Sequence, residues 1–157
     1  MQAYTIKRIG PAEYYQWKQD DDDHVNALWV QAIRREMEQG HRLVFVCTNN
    51  GDYLGRVELV LEHSDPDYTI PHKRIHISML SVRTEAFGRG VGSALIDYLI
   101  DYCRAVGYEE ISLGVNLNNP EARNLYKKKG FTEVIGEWED ADGKYLKLLK
   151  KLGSFQD

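Results

Sequence analysis

Three glycines at alternate positions, in Phe87-Gly88-Arg89-Gly90-Val91-Gly92, stand between two different periodicities. Before them His72 to Val82 alternates as a strand does; after them Val91, Leu95, Tyr98, Leu99, Tyr102, Cys103 and Val106 recur at helical spacing. A turn that opens a helix leaves its first backbone N–H groups unpaired, and glycines there let an anion approach the main chain closely. The same residues would equally serve a tight turn feeding a packed surface helix, and six residues alone leave both readings open. Within the preceding strand, His76 carries an imidazole whose ordinary pKa of about 6.5 suits proton transfer near neutrality. It lies two residues before Ser78 and four before Leu80, so alternation predicts that the three share one strand face. A hydrogen-bonded structural histidine is the competing reading. His72 and His76 make no metal pair, because four residues of strand separate them by about 13 Å. No compact ligand set is evident, and no metal site is expected.

The elements that must hold these residues can be followed along the chain. Ala3 to Ile9 alternates as a first strand, and Pro11 opens a short helix through Tyr14, Tyr15 and Trp17. The run Asp20 to Asp23 is expected to interrupt that helix and cap a second one, since short carboxylates accept N-terminal amides. Val25, Leu28, Trp29, Ala32, Ile33 and Met37 form the expected stripe of the second helix, with Gly40 as its stop. Leu43 to Cys47 and Tyr53 to Leu61 read as a hairpin around Asn49-Asn50-Gly51-Asp52. His63 to Pro71 reads as an exposed connection. After the glycine turn and its helix, Glu109 to Asn116 is a strand and Asn119-Pro120 starts a short helix that ends at Gly130. Phe131 to Trp138 and Tyr145 to Leu152 close the pattern around an Asp142-Gly143 turn. Strands and helices alternate, yet the hairpins exclude a purely parallel sheet. Residues 1–152 are expected to form one domain and 153–157 a frayed tail.

Composition narrows the class. The 157 residues are 43% apolar and carry 24 acids against 20 bases, a formal charge of -4, so no duplex-sized nucleic-acid footprint is expected. The apolar runs are too short for a membrane span, and the N-terminus lacks the layout of a signal peptide, so a cytoplasmic protein with no membrane association is expected. Cys47 and Cys103 sit in apolar contexts without a pairing motif and read as buried free thiols.

Two motifs in order carry a resemblance. Leu80-Ser81-Val82 followed by Phe87-Gly88-Arg89-Gly90-Val91-Gly92-Ser93-Ala94-Leu95, and then Asn119-Pro120-Glu121-Ala122-Arg123-Asn124-Leu125-Tyr126-Lys127-Lys128-Lys129-Gly130-Phe131, resemble the cofactor-binding turn and second motif of the GNAT family of N-acetyltransferases. The resemblance implies an α/β fold of the α+β type, with a mixed, mostly antiparallel central sheet and flanking helices. It also implies that the strand ending at Val82 splays from the strand Glu109 to Asn116, admitting acetyl-CoA. Main-chain groups near Leu80, Ser81 and Val82 would bind the pantetheine arm, and the backbone of Phe87, Gly88, Arg89, Gly90, Val91, Gly92 and Ser93 the pyrophosphate. Arg89 and Arg123 would add charge, with Lys127, Lys128 and Lys129 nearby, and Asn119 would organise the turn or simply cap the helix. Phe87 departs from the pattern, since the family usually carries Gln or Arg there.

The implied reaction is transfer of acetyl from acetyl-CoA to a primary amine. Tyr126 occupies the family's position for the proton donor to the leaving sulfur, although its ring also fits a packing stripe with Ala122 and Leu125. His76 corresponds to a position where some relatives carry a catalytic glutamate, and Glu58, a lone charge on the preceding strand, is the competing base. Tyr14, Tyr15, Trp17, Trp29, His63, Asp65, Asp67 and Tyr68 fall in the segments that shape the family's acceptor site. A small-molecule amine is preferred to a peptide or protein amine. A CoA-binding module without turnover, or a homodimer formed through exposed Tyr68 or Trp138, are the alternatives.

Overall fold

The computed structural model describes residues 4–21 and 28–153. Seven strands, β1 (Thr5–Ile9), β2 (Arg42–Asn49), β3 (Asp52–Val60), β4 (Arg74–Val82), β5 (Glu110–Asn116), β6 (Glu133–Asp140) and β7 (Gly143–Lys151), form one sheet in the order β1-β2-β3-β4-β5-β7-β6. Every neighbouring pair is antiparallel except β4 and β5. The helices are α1 (Pro11–Asp21), α2 (Leu28–Glu38), α3 (Val91–Ala105) and α4 (Pro120–Lys128). The mixed, mostly antiparallel sheet with flanking helices is the expected class.

Alternation along the strands divides the core in two. Phe45, Val57, Leu59, Ile75 and Ile77 meet Leu95, Ile96, Leu99 and Cys103 of α3 on one face. Val44 and Val46 meet Tyr14 of α1 and Val30, Ile33 and Met37 of α2 on the other. Burying a large aliphatic side chain contributes roughly 1.5–3 kcal/mol, so the α3 layer anchors the glycine turn that precedes it. The β2–β3 hairpin closes through Asn50 and Gly51, both at positive φ (53° and 86°). Asn and Gly tolerate that conformation, which explains why this turn was readable.

Four local expectations change. Helix α1 continues through Asp20 and Asp21, so the acidic run does not stop it there; Asp22, Asp23 and Val25 lie outside the described residues, as does the side chain of Trp17. The buried stripe of α2 is Val30, Ile33 and Met37, while Leu28 is 88% exposed and Trp29 and Ala32 also face out. The closing hairpin turns at Ala141–Asp142, because Asp140 pairs with Gly143. Tyr68, expected on an exposed connection, is only 6% exposed.

The most consequential departure is in β4. Met79 has φ of 58°, and β3 pairs Glu58 with Ser78 but Arg56 with Ser81, so β4 carries an extra residue there. Such a bulge inverts the alternation. Leu80 and Val82 therefore pack toward the core of Ile75 and Ile77, whereas His76 faces the other way; the expectation that His76 and Leu80 share a face is corrected. Gly55 holds the register beyond the bulge, since a Cβ at that position would stand 2.7 Å from the Ser81 carbonyl oxygen and 3.2 Å from Val91 Cγ1. Gly55→Ala is expected to cost about 2 kcal/mol, measurable as a lower urea midpoint with an unchanged slope.

Candidate active site

Parallel pairing of β4 with β5 covers only Arg74, Ile75 and His76 against Glu110, Ile111 and Ser112. Beyond that point the strands part, as the resemblance implied. Past β4 the chain makes a short 3-10 turn (Thr84–Ala86) and enters α3 through Gly88 and Gly90, at φ of 77° and 79°. Most L-residues adopt that conformation rarely, so the two glycines set the path of the turn. Gly90 caps α3 without a side chain, and the helix gives the N–H groups of Val91, Gly92 and Ser93 no internal acceptor.

A cavity of about 710 Å³ opens on this turn. Leu80, Val82, Asn119 and Tyr126 line it, together with the turn from Phe87 to Ser93 apart from Arg89. A Cβ on Gly92 would stand among Leu125, Val82 and Leu80, inside this space. Ala86, Glu121, Ala122 and Leu125 complete the wall and were not expected from the sequence. Phe87, 65% exposed, offers an apolar rim where a polar contact was expected of the family. Asn119 caps α4 by accepting from the Ala122 N–H at 3.1 Å.

Three expected contributors are not brought there. Arg123 lines a separate groove with Lys127, because Ala122, Leu125 and Tyr126 share one face of α4 and Arg123 and Lys127 belong to the next. The Arg89 N–H already donates to Ala86, and its carbonyl accepts from the Tyr4 hydroxyl. Ser81 is exposed and pairs with Arg56 of β3. Lys129 reaches back to Asp97 of α3 at 2.9 Å, a link between helices.

A second cavity, of about 370 Å³, lies between β4, the 61–73 connection and the β6–β7 hairpin. Leu80 and Tyr126 line both cavities, so the two meet there. Tyr126 is buried, with its ring 6.1 Å from that of Phe131, and burial pushes its hydroxyl up to about 12. It therefore keeps its proton throughout the physiological range. The rings of His76 and Tyr68 lie 4.1 Å apart and tilted by 31°, and Trp138 Nε1–H donates to the Tyr68 hydroxyl at 3.1 Å. Gly114 makes room for this hydroxyl, which would lie 2.6 Å from a Cβ there.

The proton positions around His76 follow from its neighbours. Ser112 Oγ donates to the Tyr68 carbonyl at 2.6 Å, so its single hydrogen is committed. His76 Nδ1, 3.1 Å from Ser112 Oγ, is then the donor, which leaves Nε2 unprotonated. Burial, reinforced by His63 and Arg42, lowers the His76 pKa to about 3. The imidazole is thus a neutral hydrogen-bond acceptor rather than a base poised near neutrality. Since the unfolded chain takes up a proton on this residue near pH 6.5 and the folded chain only near 3, stability is insensitive to it above 6.5. Between those values stability is lost as the pH is lowered, by about 1.4 kcal/mol per unit. His76→Gln is expected to flatten the acid limb by about one proton when urea unfolding is followed from pH 6.5 to 4.

Glu58, expected as a lone surface charge, is fully buried. Arg42 Nη1 donates to Glu58 Oε1, Arg56 Nη1 lies 3.4 Å from Oε2, and Arg42 also holds Glu36 at 2.6 Å. It does not line the second cavity. Asp65 and Asp67 both pair with Lys147 Nζ, at 2.7 and 2.9 Å, and that bond holds the Asp65 carboxyl below the usual carboxylate range. Tyr145, Ser112, Gly114 and Lys147 were missed. The signal for Tyr145 was its pairing with Trp138, hidden by placing the hairpin turn one residue too late. Cys47 and Cys103 are buried free thiols. Among the described residues no helix is long and apolar enough to cross a membrane, and no group of three or more His, Cys, Asp or Glu could hold a metal.

A sequence model of the Acetyltransferase (GNAT) family matches residues 5–131, and the chain belongs to that family. Mycothiol acetyltransferase of Beutenbergia cavernae is 45% identical over 58 residues, 37% of this chain and 20% of that protein. YhfO of Bacillus subtilis, an uncharacterized N-acetyltransferase, is 27% identical over 105 residues, 66% of this chain and 68% of its own length. The chain thus spans a small part of the first relative and about two thirds of the second. The solved structure of yncA from Salmonella typhimurium, with its cofactor acetyl-CoA, superposes with a TM-score of 0.70 at 20% identity, covering 97% of this chain and 95% of that one. That likeness is one of fold.

Proposed function

We propose that residues 1–152 form one catalytic domain that transfers acetyl from acetyl-CoA to the primary amine of a small molecule. The observation that carries this reading is the meeting of two cavities at Leu80 and Tyr126, where β4 and β5 part. One cavity begins at a helix N-terminus suited to phosphate, the other is compact and walled by side chains. The residues fit the cofactor: the glycine turn allows close approach, and a Cβ at Gly88 or Gly90 would meet nothing within 4 Å, so the space over the turn is open. Acetyl-CoA supplies an acetyl thioester when bound.

The chain's own residues do the rest. The N–H groups of Val91, Gly92 and Ser93 would hold the phosphate oxygens, and main chain at Leu80 would offset negative charge on the thioester carbonyl oxygen. Tyr126 Oη gives its proton to the sulfur as the carbon–sulfur bond breaks, and the proton that the attacking nitrogen sheds on forming the amide returns to the Tyr126 oxygen, so neutral amine and thioester become amide and thiol with no net proton change. His76 Nε2 accepts a hydrogen bond from the amine and orients its lone pair, a positioning role in place of the base role expected from sequence. Glu58 supports the sheet beneath. With no strong base among the described lining residues, the amine's own ionisation sets the rate, and kcat/KM should rise with pH up to the amine pKa. The test is a panel of primary amines and peptides incubated with acetyl-CoA, with acetylated products identified by mass. Small-molecule products support the reading; acetylated peptides alone would replace it with the peptide alternative, and tight acetyl-CoA binding without any product with the binding-module alternative.

A further inference from the structure

We infer that the acceptor amine is carried on an aromatic or otherwise flat apolar body with one positive charge at most, and that polycationic amines are rejected. This rests on the acetyl-transfer reading and names its substrate class. His63, Tyr68, His76, Tyr126, Trp138 and Tyr145 contribute rings to the wall of the second cavity, beside Ile77 to Leu80 of β4 and Gly114 of β5. Trp138 and Tyr145 stack with centroids 4.1 Å apart and planes 3° apart, and the Trp138 Nε1–H bond to Tyr68 ties this pair to the 61–73 connection. A rigid ring wall presents a flat apolar ligand with a surface already organised for stacking.

Charge points the same way. No carboxylate lines this cavity among the described residues. Asp65 and Asp67 of the connection both grip Lys147. Its ammonium also sits 5.6 Å from the centroid of the Tyr68 ring, so that ring already has a cation. A second ammonium brought in by a diamine would lose hydration against a wall without a carboxylate, because Asp65 and Asp67 are already held on Lys147. A single amine directed toward Leu80 and Tyr126 sheds that charge on reaction, and the ring body remains against Trp138 and Tyr145. The cavity, at about 370 Å³, has room for one ring and a short aminoalkyl chain.

The test compares 2-phenylethylamine with spermidine and 1,4-diaminobutane on the full chain. Binding to the CoA-loaded protein is read by calorimetry, and turnover by acetylated product. The expected result is binding and kcat/KM at least tenfold in favour of 2-phenylethylamine. Lys147→Met, which releases Asp65 and Asp67, should narrow that ratio at least fivefold by improving the diamines, and Trp138→Leu should weaken 2-phenylethylamine at least tenfold. Equal or better binding of spermidine by the native chain would overturn the inference, as would failure of 2-phenylethylamine to bind the CoA complex. Either outcome leaves acetyl transfer to be judged separately, by whether any amine of the wider panel is acetylated.

Discussion

Replacing Tyr126 with phenylalanine is expected to lower kcat about a hundredfold, the scale of a lost general acid. The substitution removes one oxygen and keeps the ring that packs beside Phe131, so the fold and the affinity for acetyl-CoA should change little. Because burial pushes the hydroxyl up to about 12, Tyr126 remains protonated through any practical assay range. The native rate should therefore show no alkaline fall from this group below pH 11. Pre-steady-state kinetics at saturating amine and acetyl-CoA would check the prediction; an unchanged chemical step would remove Tyr126 from the mechanism.

Glu58→Ala is expected to reduce stability by about 3 kcal/mol. Glu58 lies between Arg42 and Arg56 in the sheet interior, and Glu36 already occupies another edge of Arg42. Truncation leaves buried guanidinium charge with one carboxylate fewer, a cost far above that of losing an exposed pair. For a chain of this size the melting temperature should fall by about 9 °C. Glu58→Gln preserves the shape, and its kcat/KM should retain the native acid limb. If that limb disappears while the protein stays folded, Glu58 is the base after all and the amine's own ionisation does not govern the rate.

These two residues also show what was legible in the sequence. Tyr126 was readable because its motif is local: Asn119, Ala122, Leu125 and Tyr126 are set by one short helix with a recognisable cap. The glycine turn was readable for the same reason, since Gly88 and Gly90 stand where the backbone must take positive φ. Arg123 went astray by one helical step, a rotation of about 100° that directs it into a different groove. Glu58 and His76 depend on partners far along the chain. Nothing near Glu58 in sequence announces Arg42, and nothing near His76 announces Ser112 or Tyr68. The bulge at Met79 was hidden because a single residue at positive φ leaves the strand composition unchanged while inverting which side chains face the core. Tyr145 was lost through register, which one turn residue decides for the whole hairpin.

The central claim is that the two cavities form one path through the parted strands, with Leu80 and Tyr126 at the point of transfer. The most direct measurement is the affinity of a conjugate in which CoA sulfur is joined through an acetyl bridge to the nitrogen of an amine that the enzyme acetylates. If the cavities are continuous, the conjugate gains from both and should bind at least a hundredfold more tightly than CoA. A conjugate that binds no better than CoA itself would contradict the account.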